Sequence, residues 1–344
     1  MIDILVFFIG ASLLLYVLLG GSDFGAGIIE LLPAGRQREA QKTVINRAMG
    51  PVWEANHMWL ILVVVILFMG FPPIFTTLMV ALHAPMLALL VGIVVRGAAF
   101  TFRHYDAVQA PASQRVYTWL FGLSSLWTAV WLGIIAASLN RGLIDPGARE
   151  VWRAYFAPWW GAYPLAVGVF VACIYAFLAA IYLVGETDDP ALQRRFTRLA
   201  AAFNGLVVLT GGLVFLTSLG ERESLATAFL KSPVSLAILT LATGLGVSLW
   251  FFVAKRRTLL TRAVAAGQMA LIPLGWYALY APNAVLTTEG PLSFYTEAAP
   301  AATLRQLVLA LLVGSLFIFP SLYYLLRVFK LADADKGRAD ADHP

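Results

Sequence analysis

The chain has 344 residues, 60% of them hydrophobic and only 12% charged, with a mean hydropathy of +0.80. Soluble domains are nearer half apolar and a quarter charged, so these figures exclude a soluble enzyme, a nucleic-acid module and a disordered chain. The net charge of +5 does not point to nucleic acid, because the basic residues are spread over many short loops instead of one patch.

A helix needs about 20 mostly apolar residues to cross the hydrocarbon of a bilayer. Nine stretches meet this requirement: 4–32, 53–71, 76–102, 116–139, 163–184, 199–219, 233–254, 262–281 and 304–327. The alternation of a β-barrel is absent. The first stretch lacks a basic leader and is too long for a cleaved signal, so it is expected to be kept as a span. The chain is therefore expected to be an all-α integral membrane protein, one membrane domain over 1–344.

Cytoplasmic loops carry the excess of Lys and Arg. Of the 24 basic residues, 18 fall in the odd-numbered connections and the C-terminal segment. The expected orientation is N-terminus outside and C-terminus in the cytoplasm. The aspartate-rich segment 331–344 is expected to be a flexible cytoplasmic tail.

Charged side chains inside spans cost roughly 2.5–3.5 kcal/mol on insertion scales, so each invites a reason. Asp23 lies late in the first span, after Gly20-Gly21-Ser22. Glu54 lies about 10 Å beyond Arg47, early in the second. Arg96 reaches the same inner depth at the end of the third. Carboxylates in a low dielectric exchange protons nearer neutral pH than in water. The three residues read either as a proton access site or as a structural ion pair with a snorkelling arginine. Glu186 and Asp188 read as solvated ends of the fifth span. His57 and His83 lie at different depths and cannot share a haem, and each reads as a packed histidine. Cys173 reads as a small core residue. No phosphate loop, dinucleotide fingerprint or helical His-Glu metal pair is present.

Two halves share an outline. Gly21-Ser22-Asp23 and Gly185-Glu186-Thr187-Asp188 each precede a basic stretch and then an aromatic-amide position. The expected organisation is a four-helix bundle over 1–140, a second over 155–282, and a ninth, peripheral helix over 304–329.

Three motifs, in order, resemble subunit II of cytochrome bd-type quinol oxidases: Ser22-Asp23-Phe24-Gly25-Ala26-Gly27, then Trp53-Glu54-Ala55-Asn56-His57-Met58-Trp59-Leu60, then Arg96-Gly97-Ala98-Ala99-Phe100-Thr101-Phe102-Arg103. The resemblance implies a non-haem subunit with no catalytic residues or metal of its own. It would support a haem-bearing subunit I that oxidises quinol and reduces oxygen to water. It implies Asp23 and Glu54 on a cytoplasmic proton path, with Arg96, Arg103, Asn56, His57, Trp53 and Trp59 as the polar cluster around them. It also implies a place in the plasma membrane of a prokaryote, haems in the partner, a structural quinone in some members, membrane lipid around the spans and, in places, a small accessory subunit. Many members carry Asp-Gly-Phe-Asp where this chain has Gly20-Gly21-Ser22-Asp23, so the earlier acid is missing. The second-helix acid is Glu where Asp is also common, and the Lys often found before Thr187 is absent. The competing reading is a secondary transporter with an inner acidic site, which the glycine-interrupted spans and weak repeat would also suit.

Overall fold

The computed structural model describes the backbone of residues 1–49, 53–106 and 110–339; the side chains at 49, 53–55, 104 and 325–339 lie outside that description. The first span, Ile2–Leu31, has three pieces: α1 (Ile2–Leu15), a wide π turn (Tyr16–Gly20) and α2 (Gly21–Leu31). An extra helix, α3 (Arg38–Met49), fills the first connection. The second span is α4 (Trp53–Gly70). It stops before Pro72 and Pro73, which have no amide hydrogen to extend the ladder, and the chain bends by 118° into α5 (Pro72–Ala81).

The third span, α6, is His83–Tyr105, so the expected stretch 76–102 is divided. Its first residues belong to the bent α5. The fourth to sixth spans are α7 (Pro111–Ser138), α9 (Ala162–Val184) and α10 (Pro190–Ser218); α8 (Val151–Tyr155) is a short helix between α7 and α9. After α11 (Leu225–Lys231) come α12 (Pro233–Ala254), α13 (Thr258–Tyr280) and α14 (Ala301–Ala339). Among the described residues eight helices are long and apolar enough to cross a membrane, or nine with the bent pair as one span. Proline opens several of them, where a missing amide hydrogen is harmless. Asp189 accepts from the Ala191 amide at 2.7 Å to cap α10, and Ser232 accepts from the Ser235 amide at 3.2 Å to cap α12. The last helix continues through residues expected in the flexible tail as far as Ala339, on good helix formers such as Leu331, Ala332, Ala334 and Lys336; 340–344 lie outside the described residues.

The eighth connection holds a feature the all-α expectation lacked. Strands β1 (Asn283–Leu286) and β2 (Pro291–Ser293) pair antiparallel across a turn in which Gly290 has φ +137°. The hairpin is tied to the bundle: the Leu286 amide donates to the Leu139 carbonyl, and the Thr288 amide to the Ile144 carbonyl, both at 2.8 Å.

Long-range bonds sort the connections into two ends. At one end Arg195 donates to Gln41 and the Pro33 carbonyl, Lys42 to Gln114, and Arg262 to Glu186. Glu186 is thus half of an ion pair, not a purely solvated end. At the opposite end lie the hairpin, α5, α8 and α11. There Tyr295 donates to Asp3, and that carboxylate holds the phenol above its usual range. Trp127, Trp131, Trp152, Trp159 and Trp160 form a chain of ring contacts at this end, linked through Phe156, in the manner of an interfacial aromatic belt.

Arg141 is the clamp of this second end. Nε and Nη2 hold both oxygens of Glu221 at 2.8 and 3.0 Å, while Nη1 donates to the carbonyls of Ala157, Pro158 and Trp160. Arg141→Ala would leave Glu221 without its counter-charge and three carbonyls without a donor. We expect a loss of about 3 kcal/mol, read as a lower thermal midpoint of the purified protein in detergent. An unchanged midpoint would remove Arg141 as a clamp.

Candidate functional site

The interior is organised around α9, whose run from Ile174 to Ile181 is wholly buried and which packs against α2, α7, α10 and α13. Close approach depends on small residues. A side chain at Gly25 would lie 1.8 Å from the Tyr175 carbonyl oxygen, and one at Gly27 2.2 Å from Ser125 Oγ. This packing draws α2 into the centre of the protein and buries Asp23 with it.

Asp23 and Arg96 are each only 1% exposed, and Arg96 Nη2 meets Asp23 Oδ1 at 2.5 Å. Arg96 Nε donates to Ser125 Oγ at 3.2 Å. The guanidinium also lies 4.9 Å from the Phe24 ring and 5.0 Å from the Phe121 ring, both cation–π distances. The π turn lies directly before this pair. Its Leu19 carbonyl accepts from Ser22 Oγ at 2.8 Å and from Asn56 Nδ2 at 3.3 Å, which ties α4 to the first span. Such single π turns recur at functional sites.

Several buried polar atoms around the pair have no hydrogen-bond partner among the described residues: Asp23 Oδ2, Arg96 Nη1, Tyr16 Oη and both ring nitrogens of His57. The His57 ring lies 6.2 Å from that of Tyr16 and 6.0 Å from that of Phe24. Buried groups of this kind are normally satisfied, by protein or by water. They belong to residues grouped around Asp23 and form a patch of unpartnered polar atoms in an apolar interior.

A second ion pair lies one step along the same helices. Arg103 Nη1 meets Glu30 Oε1 at 2.7 Å, and Nη2 donates to Asn46. Phe121 lies 4.8 Å from this guanidinium too, so one ring separates the two arginines. Glu30 follows Asp23 by seven residues, and Arg103 follows Arg96 by seven. Two turns of helix place the pairs about 10 Å apart on one face. Glu30 and Asn46 are not among the residues singled out from the sequence. The shared seven-residue spacing is a signal that points to Glu30; no spacing marks Asn46.

Of the expected cluster, Asp23, Arg96, Asn56 and His57 come together. Arg103 does not join them; it belongs to the second rung, with Glu30. Trp59 does not either: its ring stacks at 6.2 Å on Phe319 of α14. The side chains of Trp53 and Glu54 lie outside the described residues. Among the described residues no three His, Cys, Asp or Glu side chains are grouped as metal ligands.

These features define a polytopic membrane protein whose first and third spans share buried charge, with Asn56 of the second tied to the first beside it. The sequence profile of the family described as Cytochrome bd terminal oxidase subunit II matches residues 1–329, and the chain belongs to that family. It is 25% identical over 224 residues to cytochrome bd ubiquinol oxidase subunit 2 of Bacillus subtilis, covering 65% of this chain and 64% of that protein. It is 23% identical over 203 residues to cytochrome bd-I ubiquinol oxidase subunit 2 of Escherichia coli, covering 58% of this chain and 52% of that protein. The chain thus spans less than two thirds of the length of these relatives. Its fold matches a chain in the structure of bd oxidase from Geobacillus thermodenitrificans with a TM-score of 0.72 at 20% identity, covering 95% of this chain and 98% of that one. The transporter reading finds no support in these likenesses.

Proposed function

We propose that this chain is the non-haem subunit II of a quinol:oxygen oxidoreductase, and that its buried acids carry cytoplasmic protons toward the partner's oxygen-reducing site. The relatives' names supply the class of reaction, and haems and quinol oxidation belong to subunit I in this reading. One observation carries the proton role: Asp23, buried, keeps one oxygen on Arg96 while the other has no partner among the described residues, as is true of the polar atoms of nearby Tyr16 and His57. Reducing oxygen to water consumes protons. A buried carboxylate beside groups that water can bridge is able to accept a proton and pass it on. Arg96 fixes the carboxylate in place, and the π turn opens the helix beside it.

In this proposal Glu54 of α4 is the neighbouring acid of the path, and the end that carries Arg195, Arg262 and α3 faces the cytoplasm, as the distribution of basic residues requires. The two halves form a repeat. In the first, α2 packs on α7 and α6 on α7; in the second, α9 packs on α13 and α12 on α13, which supports matching the first, third and fourth spans to the fifth, seventh and eighth.

Glu54→Gln and Asp23→Asn, made singly in the assembled complex, are expected to slow oxygen reduction at least about tenfold, equivalent to a barrier rise of ~1.4 kcal/mol, with haem content unchanged. Full turnover in the double variant would leave the acids a structural role only.

A further inference from the structure

At the end of the bundle that carries most of the basic residues, a cleft of about 590 Å³ opens between α9, α10, α12 and α13. That volume lies within the range of small-molecule sites. Its inner wall is apolar, with Ile181, Val184, Val253 and Trp250. Its rim is basic, with Arg194 and Arg198 one helical turn apart on α10 and Arg256 between α12 and α13. A second hollow of about 330 Å³ lies against the same Arg194 and Arg198, with Arg195 and Gln37 on its other side.

The neighbouring polar groups already have partners. Arg195 is held by Gln41 and Pro33, and Arg262 by Glu186. Gln193 donates to the Thr187 carbonyl, while Thr197 and Thr261 donate within their own helices. The Asp189 carboxylate caps α10. Arg194, Arg198 and Arg256 are exposed and make no ion pair or hydrogen bond among the described residues. Three guanidinium groups with no counter-charge therefore crown an apolar slot at the ends of four membrane helices.

We infer that this cleft binds an anionic phospholipid of the surrounding leaflet, with its phosphate among Arg194, Arg198 and Arg256 and an acyl chain against Trp250 and Val184. Guanidinium forks match phosphate oxygens in two-point bonds, and basic pockets between spanning helices select anionic headgroups. The apolar wall argues for a lipid over a free phosphate, which would gain nothing from Trp250. The α13 N-terminus, with Thr258 on the rim and no side-chain cap, adds to the positive potential.

The test uses the purified, assembled complex, washed free of loose lipid and examined by native mass spectrometry. The wild type is expected to retain phosphatidylglycerol or cardiolipin. The variant R194Q/R198Q/R256Q is expected to bind added phosphatidylglycerol roughly a hundredfold more weakly at the same haem content, and R194K/R198K/R256K to bind with an affinity between the two, because an ammonium keeps the charge and loses the fork. Phosphatidylcholine and inorganic phosphate are expected not to displace the bound lipid. Equal retention by the wild type and the Gln variant, equal binding of phosphatidylcholine, displacement by inorganic phosphate, or a cross-link from Arg198→Cys to a partner chain would each overturn the proposal.

Discussion

Arg96→Gln is expected to destabilise the assembled complex by about 3–5 kcal/mol, the range found when one partner of a buried ion pair is removed. Both side chains are 1% exposed, so no solvent would replace the lost guanidinium. Asp23→Asn should cost less, because Arg96 keeps Ser125 Oγ and the faces of Phe24 and Phe121. The double variant should be more stable than Arg96→Gln alone, since it removes the stranded carboxylate. Thermal midpoints of haem-retaining complex for all four proteins close a double-mutant cycle. Additive effects would show that the two side chains do not act as a pair. The cycle also separates two roles of Asp23. If Asp23 carries protons as proposed, stability should recover in the double variant but turnover should not, because a carboxamide cannot take up a proton.

The legibility of this arrangement in the sequence depended on the physics involved. Spans are legible because hydrocarbon accepts little but apolar side chains over some 20 residues, and the stretches 163–184 and 233–254 correspond closely to Ala162–Val184 and Pro233–Ala254. The sharp bend at Phe71-Pro72-Pro73 was written in the prolines, yet hydropathy alone ran the third span back to residue 76. The hairpin at Asn283–Ser293 was not legible, because its strands are only four and three residues long and it is docked by bonds to Leu139 and Ile144, more than 130 positions away.

At the site, depth along the helices brought Asp23 and Arg96 together correctly. Rotation about the helix axes was not legible from depth. The family resemblance groups Arg103 with Asp23, although a seven-residue step carries it to Glu30. Family motifs named Trp59 for the same cluster, yet its indole turns to α14. A motif fixes sequence neighbours; the helix face decides which partner each one meets.

The second large effect falls on packing. Gly25→Ala is expected to abolish assembly or to lower its yield severely, because the added methyl would lie 1.8 Å from the Tyr175 carbonyl oxygen and 2.8 Å from Ala179 Cβ. No rotamer relieves a clash with backbone, so α2 would have to withdraw from α9. Overpacking of a tight core commonly costs about 1–3 kcal/mol where side chains can shift, and here the obstacle is the main chain of the most buried helix. Withdrawal of α2 would also carry Asp23 away from Arg96 and empty space against Ser125. Gly133→Ala should behave similarly, with its methyl 2.6 Å from the Val167 carbonyl at the α7–α9 contact. Gly10→Ala, with nothing within 4 Å, is the matched control and should be neutral or slightly stabilising. The measurement is the yield and thermal midpoint of the haem-containing complex in the three variants. Equal behaviour at positions 10 and 25 would mean that α2 and α9 do not pack this closely in the membrane.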